Sequence, residues 1–126
     1  MSVAFAIATV LAIIYFVPFV IYAGASAIGL VNIPAEASPQ RFLLGVLIIK
    51  LGTAAAFVLI LVLGSPVFSF GWLTYALVWF AMFATSEIGD AVTTRSSWPE
   101  ALLGIISEAV YAPAAALAAF AILGIN

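Results

Sequence analysis

The run RFLLGVLIIKLGTAAAFVLILVL, residues 41–63, carries only one charge beyond its first residue, Lys50. As a helix rising 1.5 Å per residue it is about 35 Å long, enough to cross the roughly 30 Å hydrocarbon core of a bilayer. A helix apolar on every face must be buried, either in the core of a large protein or in lipid. A chain of 126 residues, 67% hydrophobic and 6% charged, has too little polar sequence to wrap such a helix, so lipid is the fitting solvent.

Working outward from that run, the preceding segment 31–40 gathers Asn32, Pro34, Glu36, Ser38 and Pro39, the chemistry of a connecting loop. Before it lies a second apolar stretch, about Val3 to Leu30, with Pro18 between Tyr15 and Tyr22, where a kink is expected. It is too long for a signal-peptide core and no Lys or Arg precedes it, so it is expected to be retained rather than cleaved near Ala23 or Ala25. Downstream, Gly64, Ser65 and Pro66 predict a turn, and a third span runs from Gly71 or Trp72 to Val92, with Trp72 and Tyr75 at the membrane interface. After a loop from Thr93 to Pro99, a fourth span covers about Glu100 to Ile125. Ser97 and Glu100 have the spacing of a capping box, and Pro113 should bend the helix. The expected fold class is all-α: a polytopic membrane protein of four transmembrane helices in a single domain, 1–126.

The chain also matches itself. Shifted by 60 residues, Ser26-Ala27-Ile28-Gly29 falls on Ser86-Glu87-Ile88-Gly89, and Pro39 falls on Pro99. With one deletion, Leu43-Leu44-Gly45 falls on Leu102-Leu103-Gly104. Two tandem helical hairpins, about 1–63 and 64–126, are expected, related by a pseudo-two-fold axis along the membrane normal. Arg41 and Arg95 flank the loops 31–40 and 93–99, which the positive-inside rule places in the cytoplasm with both termini outside. A bacterial or archaeal inner membrane is the expected location.

Composition removes several functions. Three basic side chains and a formal charge of −2 offer no footprint for nucleic acid. The absence of Cys and His excludes disulfides, thiolate chemistry and the usual zinc spacings, and no cofactor is expected. A hard cation held by oxygen ligands alone stays open. No nucleophile-base pair or phosphate loop accompanies the acids, so the chain is not expected to be an enzyme and no catalytic residue is assigned.

What stands out is charge inside the spans. Lys50 lies nine residues beyond Arg41 and Glu108 nine beyond Pro99, so both sit about 13 Å from the loop side. A charge at that depth costs about 2.5 to 3.5 kcal/mol on insertion scales, and a Lys50–Glu108 pair across the two halves is the simplest remedy. Glu87 and Asp90 share a face at depths of about 9 and 5 Å, where the first repeat has Ala27 and Leu30. Asp90 is close enough to the interface to meet Arg95. One ammonium cannot neutralise these acids, so at least one carboxylate is expected to carry a proton or to share a cation. Tyr111 sits three residues after Glu108 on the same face, and the matched serines Ser26 and Ser86 are further candidates for a lining.

Two functions follow from this inventory. One is a proton- or cation-linked transporter or channel whose path uses Lys50, Glu87, Asp90, Glu108, Tyr111, Ser86 and Ser26. The other is an accessory subunit of a larger membrane complex, in which Lys50 and Glu108 only fix helix register. The serines and the glycines at 24, 29, 45, 52, 89 and 104 equally suit plain helix packing. The expected partners are the lipid bilayer and either further copies of the chain, since four helices enclose little cavity, or the subunits of a membrane complex.

Overall fold

The structure, a computed structural model, describes residues 2–30, 39–67 and 69–125. It is all-helical, with four helices and no strand among the described residues: α1 (Ser2–Ala27), α2 (Pro39–Gly64), α3 (Trp72–Val92) and α4 (Trp98–Leu123). Three stretches, Ser2–Ala27, Gln40–Gly64 and Trp98–Leu123, are long and apolar enough to cross a membrane. Helix α3 has 21 residues but spends its last turns on Ser86, Glu87 and Asp90, and is less apolar than the others.

The ends of the helices follow local chemistry. α1 stops three residues short of the expected Leu30 because Gly29 turns into the left-handed region at φ 82°, which a residue without Cβ tolerates. Leu30 N–H then bonds Ala25 O at 2.9 Å and Gly29 N–H bonds Ser26 O at 3.1 Å, satisfying carbonyls of the last turn. At the start of α4, Glu100 N–H donates to Ser97 Oγ at 3.3 Å, as the Ser-x-x-Glu spacing predicts, and Gly124 closes the other end at φ 67°. Both α1 and α4 are unbroken at Pro18 and Pro113. Of the expected loop 31–40, residues 31–38, with Pro34 and Glu36, lie outside the described residues.

Helix α4 is the centre of the bundle, packing against α1 and α3, while α1 also packs against α2. Ala112, Ala115, Ala116 and Ala119 are all buried, and their spacing of three and four puts them on one stripe. Small residues there let neighbouring backbones come close, and in lipid such close packing is itself the main drive for association. α2 and α3 meet differently, through rings. Phe57 lies 4.9 Å from Tyr75 and 5.3 Å from Trp79 between centroids, and the Tyr75 hydroxyl donates to the Phe57 carbonyl. An apolar groove of about 230 Å³, bordered by Ile60, Gly64, Thr74 and Val78, runs over that seam.

The two halves of the bundle are packed unequally. On the side of the chain ends and the 65–71 turn, called the terminal side, all four helices contribute buried residues. Among them are Val10 and Ile14 from α1, Phe57, Val58 and Leu61 from α2, Tyr75 and Trp79 from α3, and Phe120 from α4. On the opposite, loop side, α1, α3 and α4 stay together through Ala25, Ala91, Ala101 and Gly104. α2 stands off there. From residue 40 to 53 it buries nothing, and its least exposed positions are Leu43, Val46, Lys50 and Thr53, one face at a spacing of three and four.

Candidate functional site

The loop-side half is where the charges collect, and α2, α3 and α4 each bring one or more of them. Glu108 on α4 is 3% exposed, and its Oε1 is shielded from solvent without a hydrogen-bond partner. One turn earlier on the same face is Gly104, also buried. Glu87 crosses from α3 to lie on it: a Cβ built at Gly104 would fall 2.7 Å from Glu87 Cδ and Oε1 and 2.9 Å from Oε2. Glycine at 104 is therefore what lets the Glu87 carboxylate reach the α4 surface, next to Glu108. At Gly45, its counterpart in the repeat, a Cβ would meet nothing within 4 Å.

Lys50 on α2 reaches the same region from the other side of the bundle. Its Nζ donates to the Tyr111 hydroxyl at 3.4 Å and stands 4.7 Å from the centroid of that ring, a cation–π contact. Tyr111 is 3% exposed, one turn deeper than Glu108 on the same face. Among the described residues no ammonium or guanidinium lies within 4.0 Å of a carboxylate. The direct Lys50–Glu108 pair expected from equal depth is thus not formed, although Lys50 remains within electrostatic range of both Glu108 and Glu87. The flexible lysine stem takes the ammonium past the acid to the ring beyond it.

Tyr22, on α1, completes the ring of helices. Its hydroxyl donates to the Glu100 carbonyl at 3.3 Å and lies within electrostatic range of Glu87 and Glu108. Asp90 is half-buried one turn nearer the loop than Glu87, which feels its charge. Its contact with Arg95 is through backbone alone, Arg95 N–H to Asp90 O at 2.9 Å. The serines stay outside the cluster: Ser86 is exposed, and Ser26 is half-buried with its carbonyl taken by Gly29 N–H. Ser107 is buried beside Glu108 but donates to Leu103 O at 3.0 Å on its own helix.

Deeper than Tyr111 the interior turns aromatic. Phe83 lies 5.9 Å from Tyr111, Trp79 5.6 Å from Phe83, and Tyr75 6.3 Å from Trp79 and 6.0 Å from Phe120, a continuous succession of rings. Beyond it, on the terminal side, is a cavity of about 280 Å³ bordered by Leu61, Ser65, Ser69 and Phe120. Polar groups therefore run from the loop side to mid-depth, rings fill the interior beyond them, and a cavity lies past the rings.

Five of the seven residues chosen from sequence, Lys50, Glu87, Asp90, Glu108 and Tyr111, belong to this arrangement, and the two serines do not. Tyr22, Gly104 and the ring stack escaped sequence reasoning. A phenol in the interior of an apolar span was the available signal for Tyr22; for Gly104 the spacing to Glu108 was visible but its neighbour on α3 was not. No group of three or more acids suited to a metal ion occurs among the described residues. Family models, curated proteins and solved structures were searched without a match to this chain, so its chemistry is read from the side chains themselves.

Proposed function

We propose that this chain is a small multi-pass membrane protein that moves protons or cations along its charged interior, as a carrier rather than an open pore. Glu108 carries this reading: an acid 3% exposed, with an unpartnered oxygen and no cation on it, is expensive to keep unless it binds something. Asp90 and Glu87 form the approach from the loop side, Glu108 is the central site, and Lys50 on Tyr111 marks its inner limit. The rings from Phe83 to Phe120 form the closed gate, and the cavity at Ser65 and Ser69 is the exit on the far side.

In this proposal α3 spans the bilayer with the other three. Its 21 residues rise about 31 Å, and it packs along α4, which shields its acids from acyl chains. The two hairpins descend from a duplication and face the same way, the loops 31–40 and 93–99 are cytoplasmic, and the chain works as a homo-oligomer in a bacterial or archaeal inner membrane. The second half has become the active one, since Glu87, Asp90 and Glu108 have no acidic counterparts in the first.

A second reading, an accessory subunit, draws on one observation: the loop-side half of α2 is exposed on most of its surface, including Leu44, Ile48 and Ile49, as a docking helix would be. Reconstitution in liposomes separates the two. Carriage predicts flux driven by a pH or cation gradient that Lys50→Ala and Glu108→Gln reduce to the level of empty vesicles with folding retained. An accessory role predicts no flux and co-purification with other subunits.

A further inference from the structure

We infer that Glu87 and Glu108 together bind a single proton, and that Lys50 is the internal competitor for that site, parked on Tyr111 while the proton is there. The inference deepens the carrier reading, on which it rests for its role in transport; the binding itself stands on the geometry.

Three observations carry it. First, two carboxylates are brought to adjacent turns of one α4 face, Glu87 by lying flat on Gly104 and Glu108 directly, and neither has an ion-pair partner within 4.0 Å. Glu108 Oε1 is fully shielded and receives no hydrogen bond. Glu108 lies within electrostatic range of Glu87, and like charges in one enclosed site resist ionising together, so a single proton on the pair relieves both the repulsion and the burial of an unpartnered charge. Second, the place is poor for a metal cation. Hard cations take six or more oxygens, whereas among the described residues no group of three or more acids suited to a metal ion comes together. Third, the obvious neutraliser has gone elsewhere. Lys50 stands on the ring and hydroxyl of Tyr111, one turn past Glu108, on a half-helix of which no residue from 40 to 53 is buried.

The proton balance is simple. A hydronium from the loop-side water, passing Asp90, gives its proton to one carboxylate oxygen, leaving water and a single negative charge on the pair. On release that O–H bond breaks, the proton returns to water, and two carboxylates remain. Lys50 then swings from Tyr111 to Glu108 and draws α2 against α3 and α4. The groups coupled to the pair are Tyr22 from α1, itself next to Glu100 of α4, with Lys50 from α2, Asp90 from α3 and Tyr111 from α4, so among the described residues Lys50 is the one cation able to compete.

Infrared spectroscopy of the whole chain in lipid nanodiscs tests this directly, because a protonated carboxyl has its own band. The wild type should show one such buried carboxyl per chain at pH 7, and the band should be lost in Glu108→Gln and reduced in Glu87→Gln, which removes the neighbouring charge but not the burial of Glu108. Lys50→Met should increase it, and sodium added at fixed pH should leave it unchanged. A wild type without the band, a band that survives in Glu108→Gln or is unchanged in Glu87→Gln, or one displaced by sodium would each overturn the inference. The wild-type titration needs no variant to fold. A band without flux in liposomes would retain the proton site and discard the carrier; flux without a band would do the reverse.

Discussion

The terminal-side and loop-side halves of this bundle are made from the same four helices and solve opposite problems. On the terminal side alanines on α4 and rings on α2 and α3 fill the interior, and the few polar atoms there are satisfied, as with the Tyr75 hydroxyl on the Phe57 carbonyl. On the loop side α2 stands apart, and two acids and an ammonium share the interior without a single ion pair. Lipid gives helices no hydrophobic reason to associate, so packing must be earned by shape. In the proposed carrier, the half with shape complementarity would be the closed gate and the half without it the part that proton or cation binding changes. The two would be separated by about two helical turns along α4, from Glu108 to Ala115.

The sharpest way to break that contrast is to remove the charges. Lys50→Ala or Glu108→Gln should bring transport in liposomes down to the background of empty vesicles, the largest effect expected. Glu108→Met should abolish transport too, yet raise stability rather than lower it, because it removes a buried polar group that has no partner; denaturation in mixed micelles measures it. On the other side of the divide, Phe57→Ala should cost about 3 to 5 kcal/mol, the usual figure for emptying an aromatic core site. It should also convert gated transport into leak, which a flux assay reads without an imposed substrate gradient on the loop side. A smaller effect belongs to Gly104→Ala, which displaces Glu87 from α4 and should slow transport several-fold, while Gly45→Ala, with open space around it, should leave the rate unchanged. Smallest of all, Ser26→Ala and Ser86→Ala should shift stability by no more than about 0.5 kcal/mol and leave transport as it is.

The helices and their order were legible because apolar length and loop chemistry are properties of consecutive residues. Ser97 as a cap and α3 from Trp72 to Val92 could be read off in the same way. So could the depth shared by Lys50 and Glu108, since rise per residue fixes height. What the spacing left undetermined was azimuth and reach. Lys50 has a stem long enough to pass Glu108 and settle on Tyr111, and nothing in one strand of sequence distinguishes the two targets. Gly104 reads as a packing glycine until Glu87 is seen on it, a contact between residues 17 apart in the chain. Unequal closure was invisible for a related reason: apart from its first turn and Lys50, α2 is apolar along both halves, and the partners of Phe57, absent around Leu44, separate them.

Because the chain has no cysteine, single cysteines placed along its interior report water access without background. The account predicts that Cys at Val46 and Thr53 reacts with a membrane-impermeant thiol reagent added on the loop side, whereas Cys at Ala54, Ala76 or Ala115 stays unlabelled from that side. Equal labelling at both levels, or none at Val46 and Thr53, would contradict the division of the bundle into an accessible charged half and a sealed one.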